Sequence, residues 1–245
     1  MRRWLLTLDA STPTTVVALG ELDASEPRAS VASSDGANQT SEKLEGHVRH
    51  VLHECQITLE DVTAIAAGIG PGTFTGTRVT AAFAKGLAVG LGQGVHPIST
   101  LEALAWEVLE PSAGRREVLA MLDARRGEVY AATYAGSGAS ASLQLRCEAR
   151  CATVEEIMGD ANLPATAILV GTGVTAYEAR LRTDCPFELR PTDGLSTIGL
   201  WRAAQRAATL EAVDPADLAV RYLRASYAEM GIHKPKRPMI KSPFV

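Results

Sequence analysis

The chain has 245 residues, 46% of them hydrophobic and 21% charged, with a formal net charge of −4. That length can bury a substantial core in one large or two small domains, and the composition is that of an ordinary globular protein. A chain that grips nucleic acid unaided usually shows a basic excess, because phosphate neutralisation carries most of that affinity, and none exists here. Cys55, Cys147, Cys151 and Cys185 form no C-x-x-C pair, so neither a zinc ribbon nor a thioredoxin-like motif is present. Arg2 and Arg3 precede Trp4-Leu5-Leu6, but Asp9 interrupts that apolar run, and no segment approaches the roughly 18 apolar residues of a membrane span. A cytoplasmic protein without membrane contact is expected.

In chain order, Trp4 to Leu8 and Val16 to Leu19 read as strands joined by the polar turn Asp9 to Thr15. A third strand near Arg28 to Ser33 closes an antiparallel trio, and residues 33–38 read as loop. A helix opens at Thr40 or Ser41, with Glu42 in its first turn and an apolar stripe of Leu44, Val48, Val51, Leu52 and Cys55. His47, His50 and His53 fan over part of the circumference; a metal site would need them gathered with a further ligand, and a polar helix face is the plainer reading. Thr58-Leu59-Glu60-Asp61 has capping-box spacing for a short turn.

Val62 to Ala67 is a β-branched and alanine run of the kind buried strands use. It enters Gly68-Ile69-Gly70-Pro71-Gly72-Thr73-Phe74-Thr75-Gly76-Thr77-Arg78, a sharp turn, and then a helix of small residues reaching Leu91. Such a joint leaves the first helical N–H groups pointing at whatever sits in the loop. No Walker ending is present, since Thr77 and Arg78 follow Gly76, and glycines at 68, 70, 72 and 76 give no G-x-G-x-x-G register. This is no ordinary nucleotide cradle, and a purely structural turn is the alternative.

Val95 to Ile98 is a further strand, and Ser99-Thr100-Leu101-Glu102 reads as a capping box opening a helix from Leu101 to Leu109 that Pro111 ends. The second half repeats the plan. Strands Glu117 to Leu122 and Glu128 to Tyr134 flank Asp123 to Gly127, with a third near Ser142 to Cys147. Thr153 to Glu156 caps a helix, and strand Ala167 to Val170 runs into the turn Gly171-Thr172-Gly173 ahead of another. Leu195 to Leu210 and Pro215 to Leu223 are predicted helices, the latter capped by Asp214. From His233 on, Lys234, Lys236, Arg237 and Lys241 among three prolines read as a flexible basic tail. The order fits an α/β fold with an N-terminal lobe over 1–110, a C-terminal lobe over 111–228 and the tail over 229–245.

Leu8-Asp9-Ala10-Ser11-Thr12, Gly70 to Arg78 with Ala84-Lys85-Gly86-Leu87-Ala88, and Asp123-Ala124-Arg125-Arg126-Gly127-Glu128-Val129-Tyr130 resemble the TsaB family, also called YeaZ, of the glycoprotease-like superfamily. The likeness runs from Trp4 to about Arg224. It implies a two-lobed actin-like ATPase fold (sugar kinase, Hsp70, actin), each lobe a mixed five-stranded sheet with helices. It also implies a partner of TsaD in placing threonylcarbamoyl on the N6 of the adenosine beside the tRNA anticodon, with TsaE joining the assembly and tRNA met only through the complex.

TsaD resembles TsaB around the central loop and then carries a His-x-x-x-His metal pair, where this chain reads Thr100 to Leu104. Leucine cannot ligate a metal, so neither catalysis nor a metal site is expected. Asp9, Ser11 and Thr12 occupy the turn that faces phosphate in ATPase relatives, with Gly171 and Gly173 opposite. However, Ala10 stands where a glycine is common and the second loop is short. A vestigial nucleotide site is expected, with no cofactor required and at most weak or interfacial ATP or ADP.

The resemblance places the partner surface on the helices around Ser41 to Cys55 and Thr73 to Leu91, with Leu44, Val48, Val51, Thr75, Arg78, Ala81, Ala82, Lys85 and Ala88 as its candidates. Small residues there either admit a close partner helix or seat the helix on its own sheet. Thr75, Arg78 and Lys85 either touch TsaD or merely cap and solubilise the helix. The same surface is expected to form a homodimer when TsaD is absent. The rival reading is an autonomous actin-fold ATPase or kinase, or a glycoprotease-like hydrolase.

Overall fold

The computed structural model describes residues 2–34, 40–109, 114–137, 142–159, 163–184 and 186–224. The loop expected at 35–38, Pro111, Cys185 and the basic tail lie outside them. Three antiparallel strands, β1 (Trp4–Asp9), β2 (Thr15–Glu21) and β3 (Ala29–Ser33), are extended by β4 (Val62–Gly68) and β5 (Val95–Ile98) parallel to β1, in the order β3-β2-β1-β4-β5. Leu5, Leu6, Leu8, Val16, Val17 and Leu19 are all fully buried. Central strands this apolar on both faces need layers on both sides. Helices α1 (Thr40–Cys55) and α2 (Phe74–Leu91) cover one face, packing on Leu6, Leu8, Val17 and Ile65. The other face, carrying Leu5, Val16 and Ala66, is covered by α6 (Thr197–Ala207) and joins the core around α3 (Thr100–Glu107).

The second sheet comprises β6 (Arg116–Arg125), β7 (Glu128–Ser137), β8 (Ser142–Thr153), β9 (Ile168–Gly171) and β10 (Glu188–Pro191), ordered β10-β9-β6-β7-β8. Read from its other edge, this is the order of the first sheet. The duplication is the two-lobed actin-like architecture that the resemblance implies. Helices α4 (Val154–Gly159) and α5 (Thr172–Asp184) pack on one face of it, against Leu119, Met121 and Val129. Val118, Ala120 and Tyr134 on the other face pack with α3 in the same core as Leu5 and Val16, so one core is shared by both sheets. The last helix among the described residues, α6 (Thr197–Ala207), returns to α3 and the first sheet, where Trp201 is fully buried and donates from Nε1 to Ala24 O at 3.2 Å.

Four local expectations need correcting. Pro215 to Leu223 is not a helix. Its backbone closes a single turn on Asp214, with Ala216 N on Asp214 Oδ1 at 2.7 Å and Leu218 N on Asp214 O at 3.1 Å, and then Arg221 N donates to Ile69 O at 2.9 Å. The carbonyl of Ile69, in the loop just past β4, takes the N–H that a helical bond would have used. Ser99 makes no side-chain cap, and Glu102, the other half of the expected capping box, pairs with Arg206 at 2.7 Å. The second glycine turn shrinks to Gly171, with φ +117°, and the helix already begins at Thr172. Finally, β8 runs on to Thr153 along β7, past the Cys147 expected as its end, and β10 was not anticipated.

Candidate functional site

The glycine-rich loop folds down on the first hairpin turn. Thr73 N donates to Ser11 O at 2.7 Å, and Ala10 N donates to Thr80 Oγ1 at 2.9 Å. A Cβ added to Gly72 would lie 2.3 Å from Ser11 O, and one added to Gly76 would lie 1.8 Å from Ala10 O. These glycines are therefore required by the chain's own backbone rather than by a ligand. Thr73 then caps α2, its Oγ1 accepting from Gly76 N at 3.3 Å, and Gly92 closes the helix at φ +65°.

Beneath this contact lies a buried polar cluster. Asp9 Oδ1 accepts from Ser11 N at 2.6 Å and Ser11 Oγ at 2.7 Å, and Oδ2 accepts from Thr100 Oγ1 at 3.2 Å. Burial pushes the Asp9 carboxyl above its ordinary range, outweighing the hydrogen bonds that pull it down. Gly68 leaves room for that carboxylate, since a Cβ there would sit 1.7 Å from Oδ2. Thr100 is fully buried in this cluster and Leu104 is fully buried in the shared core. Both positions at which the resemblance would require imidazoles are thus part of the packing. Among the described residues no three His, Cys, Asp or Glu side chains gather as a metal site would need.

Between the lobes a cavity of about 250 Å³ is lined by Ser11, Thr12, Thr73, Asp123, Arg125 and Thr175, among others. Its Ser11 and Thr12 hydroxyls are engaged within the chain: Ser11 Oγ by Asp9 and Thr100, Thr12 Oγ1 by Thr14 O at 2.9 Å and Leu195 N at 3.2 Å. Gly171 and Gly173 face β6, where added Cβ atoms would lie 2.2 Å from Met121 O and 2.9 Å from Met121 Cβ. Their lack of a side chain lets α5 seat on the sheet. Of the five residues named for a nucleotide, Ser11 and Thr12 line this cleft, Asp9 is fully buried beneath it, and Gly171 and Gly173 are not among its lining; the Asp9, Ser11 and Thr12 groups are already bonded within the chain, Thr12 to Leu195 N across the lobes.

The candidate partner residues divide by helical phase. Leu44, Val48, Val51, Ala81 and Ala88 are buried in the chain's own core, so they correct the expectation: they hold α1 and α2 on the sheet and present nothing outward. Thr75, Arg78 and Ala82 are exposed and Lys85 is half-buried. Gly86 and Gly90 continue the exposed side of α2, where an added Cβ would meet nothing within 4 Å. Sequence reasoning missed Phe74, Val89 and Tyr222, which are 55%, 70% and 52% exposed. Arg78 stacks its guanidinium 3.6 Å from the Phe74 ring centre and donates from Nε to Tyr222 OH at 2.5 Å. Phe74 and Val89 lie off the core stripe of α2, a signal that was readable. Tyr222 was not, because 144 residues separate it from Arg78.

No helix among the described residues is long and apolar enough to cross a membrane. A family model described as "TsaD: tRNA N6-adenosine threonylcarbamoyltransferase" matches residues 31–230. The tRNA threonylcarbamoyladenosine biosynthesis protein TsaB of Escherichia coli K12 is 41% identical over 87 residues. That match covers 36% of this chain and 37% of the E. coli protein, so it spans little more than a third of either. The solved structure of YeaZ from Pseudomonas aeruginosa superimposes with a TM-score of 0.77 at 29% identity, covering 90% of this chain and 100% of that one. A second structure, titled as an uncharacterized protein with similarity to peptidase YEAZ from P. aeruginosa, gives a TM-score of 0.77 at 30% identity, covering 91% and 100%.

Proposed function

This chain belongs to the TsaB (YeaZ) family, and from that membership we propose that it acts in tRNA threonylcarbamoyladenosine biosynthesis as the non-catalytic partner of TsaD. The observation that carries the reading is the fate of α3. Thr100 is bonded to Asp9 and Leu104 fills the shared core, so the helix that would supply a metal pair serves folding instead. The matched relative's name supplies the pathway.

In this reading TsaD docks on the exposed side of α2, around Thr75, Arg78, Ala82 and Lys85, with TsaE joining the assembly and tRNA met only through the complex. Small side chains at Ala82, Gly86 and Gly90 support it, because they let helix axes approach near the low end of the usual 8–10 Å. In the absence of TsaD the same side forms a homodimer. No resident nucleotide is required, a reading supported by the engaged hydroxyls of Ser11 and Thr12.

The test is reconstitution. The purified chain mixed with TsaD, TsaE, threonylcarbamoyl adenylate and tRNA is expected to give modified adenosine, and the chain without TsaD none. Ala82→Glu should abolish co-purification with TsaD while leaving the fold intact. Modification by this chain alone, or ATP hydrolysis that TsaD does not change, would point to an autonomous enzyme instead.

A further inference from the structure

We infer that the α2 face receives a partner helix carrying two carboxylates about two turns apart, with Arg78 and Lys85 as their receptors. The segment from Val213 to Arg224 is the brace that presents those two cations. This rests on the docking reading above and specifies its chemistry.

Arg78 and Lys85 are the only charged residues in the 18 of α2. Seven residues apart, they lie on nearly the same side of the helix and about 10.5 Å apart along its axis. Among the described residues neither pairs with a carboxylate. Each is instead held by the C-terminal segment: Arg78 Nε donates to Tyr222 OH, and Lys85 Nζ donates to Ala216 O at 3.3 Å. The segment is itself fastened at both ends. Val213 and Val95 exchange backbone hydrogen bonds of 2.9 Å, Arg221 N donates to Ile69 O, Arg221 pairs with Glu148 at 2.8 Å, and Arg224 pairs with Glu128 and donates to Ala124 O. A cation fixed in this way loses less side-chain freedom on binding, which favours its use at an interface.

Apolar anchors flank the two charges. Phe74 and Tyr222 sit beside Arg78, and Val89 borders a groove of about 440 Å³ between Lys85 and the turn Asp214–Ala216. Exposed aromatics around an arginine are the composition in which interfacial energy concentrates. Between the anchors, Ala82, Gly86 and Gly90 leave a smooth floor for bulky partner side chains. A second copy packed α2 on α2 would bring cations against cations, so the homodimer is the weaker complex and yields to a helix bearing acidic groups, which meets no such penalty.

The experiment measures TsaD binding by titration at 50 and 500 mM NaCl for wild type, Arg78→Glu, Lys85→Glu, the double reversal, Tyr222→Phe and Tyr222→Ala. Melting curves serve as the check on folding. Each reversal is expected to weaken binding about tenfold or more, and the double reversal should lose the salt dependence of the wild type. Tyr222→Phe, which keeps the ring and drops the hydroxyl, should fall between wild type and Tyr222→Ala. Wild-type binding that the double reversal matches at both salt concentrations overturns this inference and leaves the docking reading standing. Failure of the wild type to bind TsaD removes both. Reversals that abolish self-association in sedimentation while sparing TsaD would make a second copy the occupant, which also overturns it.

Discussion

Gly76 and Gly86 lie on the same helix, and the same substitution should move stability in opposite directions. Alanine improves helix propensity over glycine by up to about 1 kcal/mol at either position. At Gly86 nothing lies within 4 Å of the new methyl, so that gain is kept and the melting temperature should rise by roughly 2–4 °C. At Gly76 the methyl would lie 1.8 Å from Ala10 O and 2.6 Å from Thr73 Oγ1, the cap of the helix. Ala10 cannot retreat easily, since its N–H is held by Thr80 and the next carbonyl by Thr73 N. Overpacking costs about 1–3 kcal/mol, and displacing those two hydrogen bonds costs about 1 kcal/mol each. Against the propensity gain, Gly76→Ala should lose about 2–4 kcal/mol, or roughly 4–16 °C for a chain of this size. Thermal unfolding followed by circular dichroism, on dilute samples verified as monomeric, measures both variants. A Gly76→Ala protein as stable as Gly86→Ala would refute the claim that the loop presses on the first hairpin turn.

Asp9→Asn tests the buried carboxyl. The folded chain holds that proton more tightly than the unfolded chain, in which the group titrates near 3.8. Its favourable contribution is therefore complete below about pH 3.8 and is lost as pH rises through the higher folded value. The variant should gain stability relative to wild type as pH climbs from 4 to 8 in urea titrations; midpoints that run parallel would contradict a raised carboxyl. Leu44→Ala should cost about 2–5 kcal/mol by opening a core cavity, whereas Ala82→Glu should stay within about 0.5 kcal/mol of wild type. The two melts separate folding from docking, and a destabilised Ala82→Glu would count against an exposed Ala82. Calorimetry of the chain with ATP should detect no submicromolar site; tight binding would mean that the hydroxyls of Ser11 and Thr12 can be freed.

Much of the fold was legible because its signals are local. The strands β1, β2 and β4 announce themselves as apolar runs, α1 as a stripe of Leu44, Val48, Val51 and Cys55, and the central turn by its glycines. The segment after Asp214 misled because Asp-Pro is a sound helix start, while Arg221 N, which a helix would have used, finds its acceptor at Ile69 in the distant glycine-rich loop. The phase of α2 was equally hidden. Ala81, Ala82, Ala84, Gly86 and Ala88 differ so little in polarity that composition cannot say which face is buried.

Residue type and spacing were enough for most of the element order, though not for β10 or the segment after Asp214, while the two-lobed plan and the reading of Thr100 and Leu104 as replaced imidazole positions came with the family resemblance. That Gly68, Gly72 and Gly76 answer to Asp9, Ser11 and Ala10, and that Tyr222 and Ala216 hold Arg78 and Lys85, came from the packing. Those relations join residues 59 to 144 positions apart, and contact over such separations is fixed by how the sheets and helices pack, a property that no local window of sequence contains.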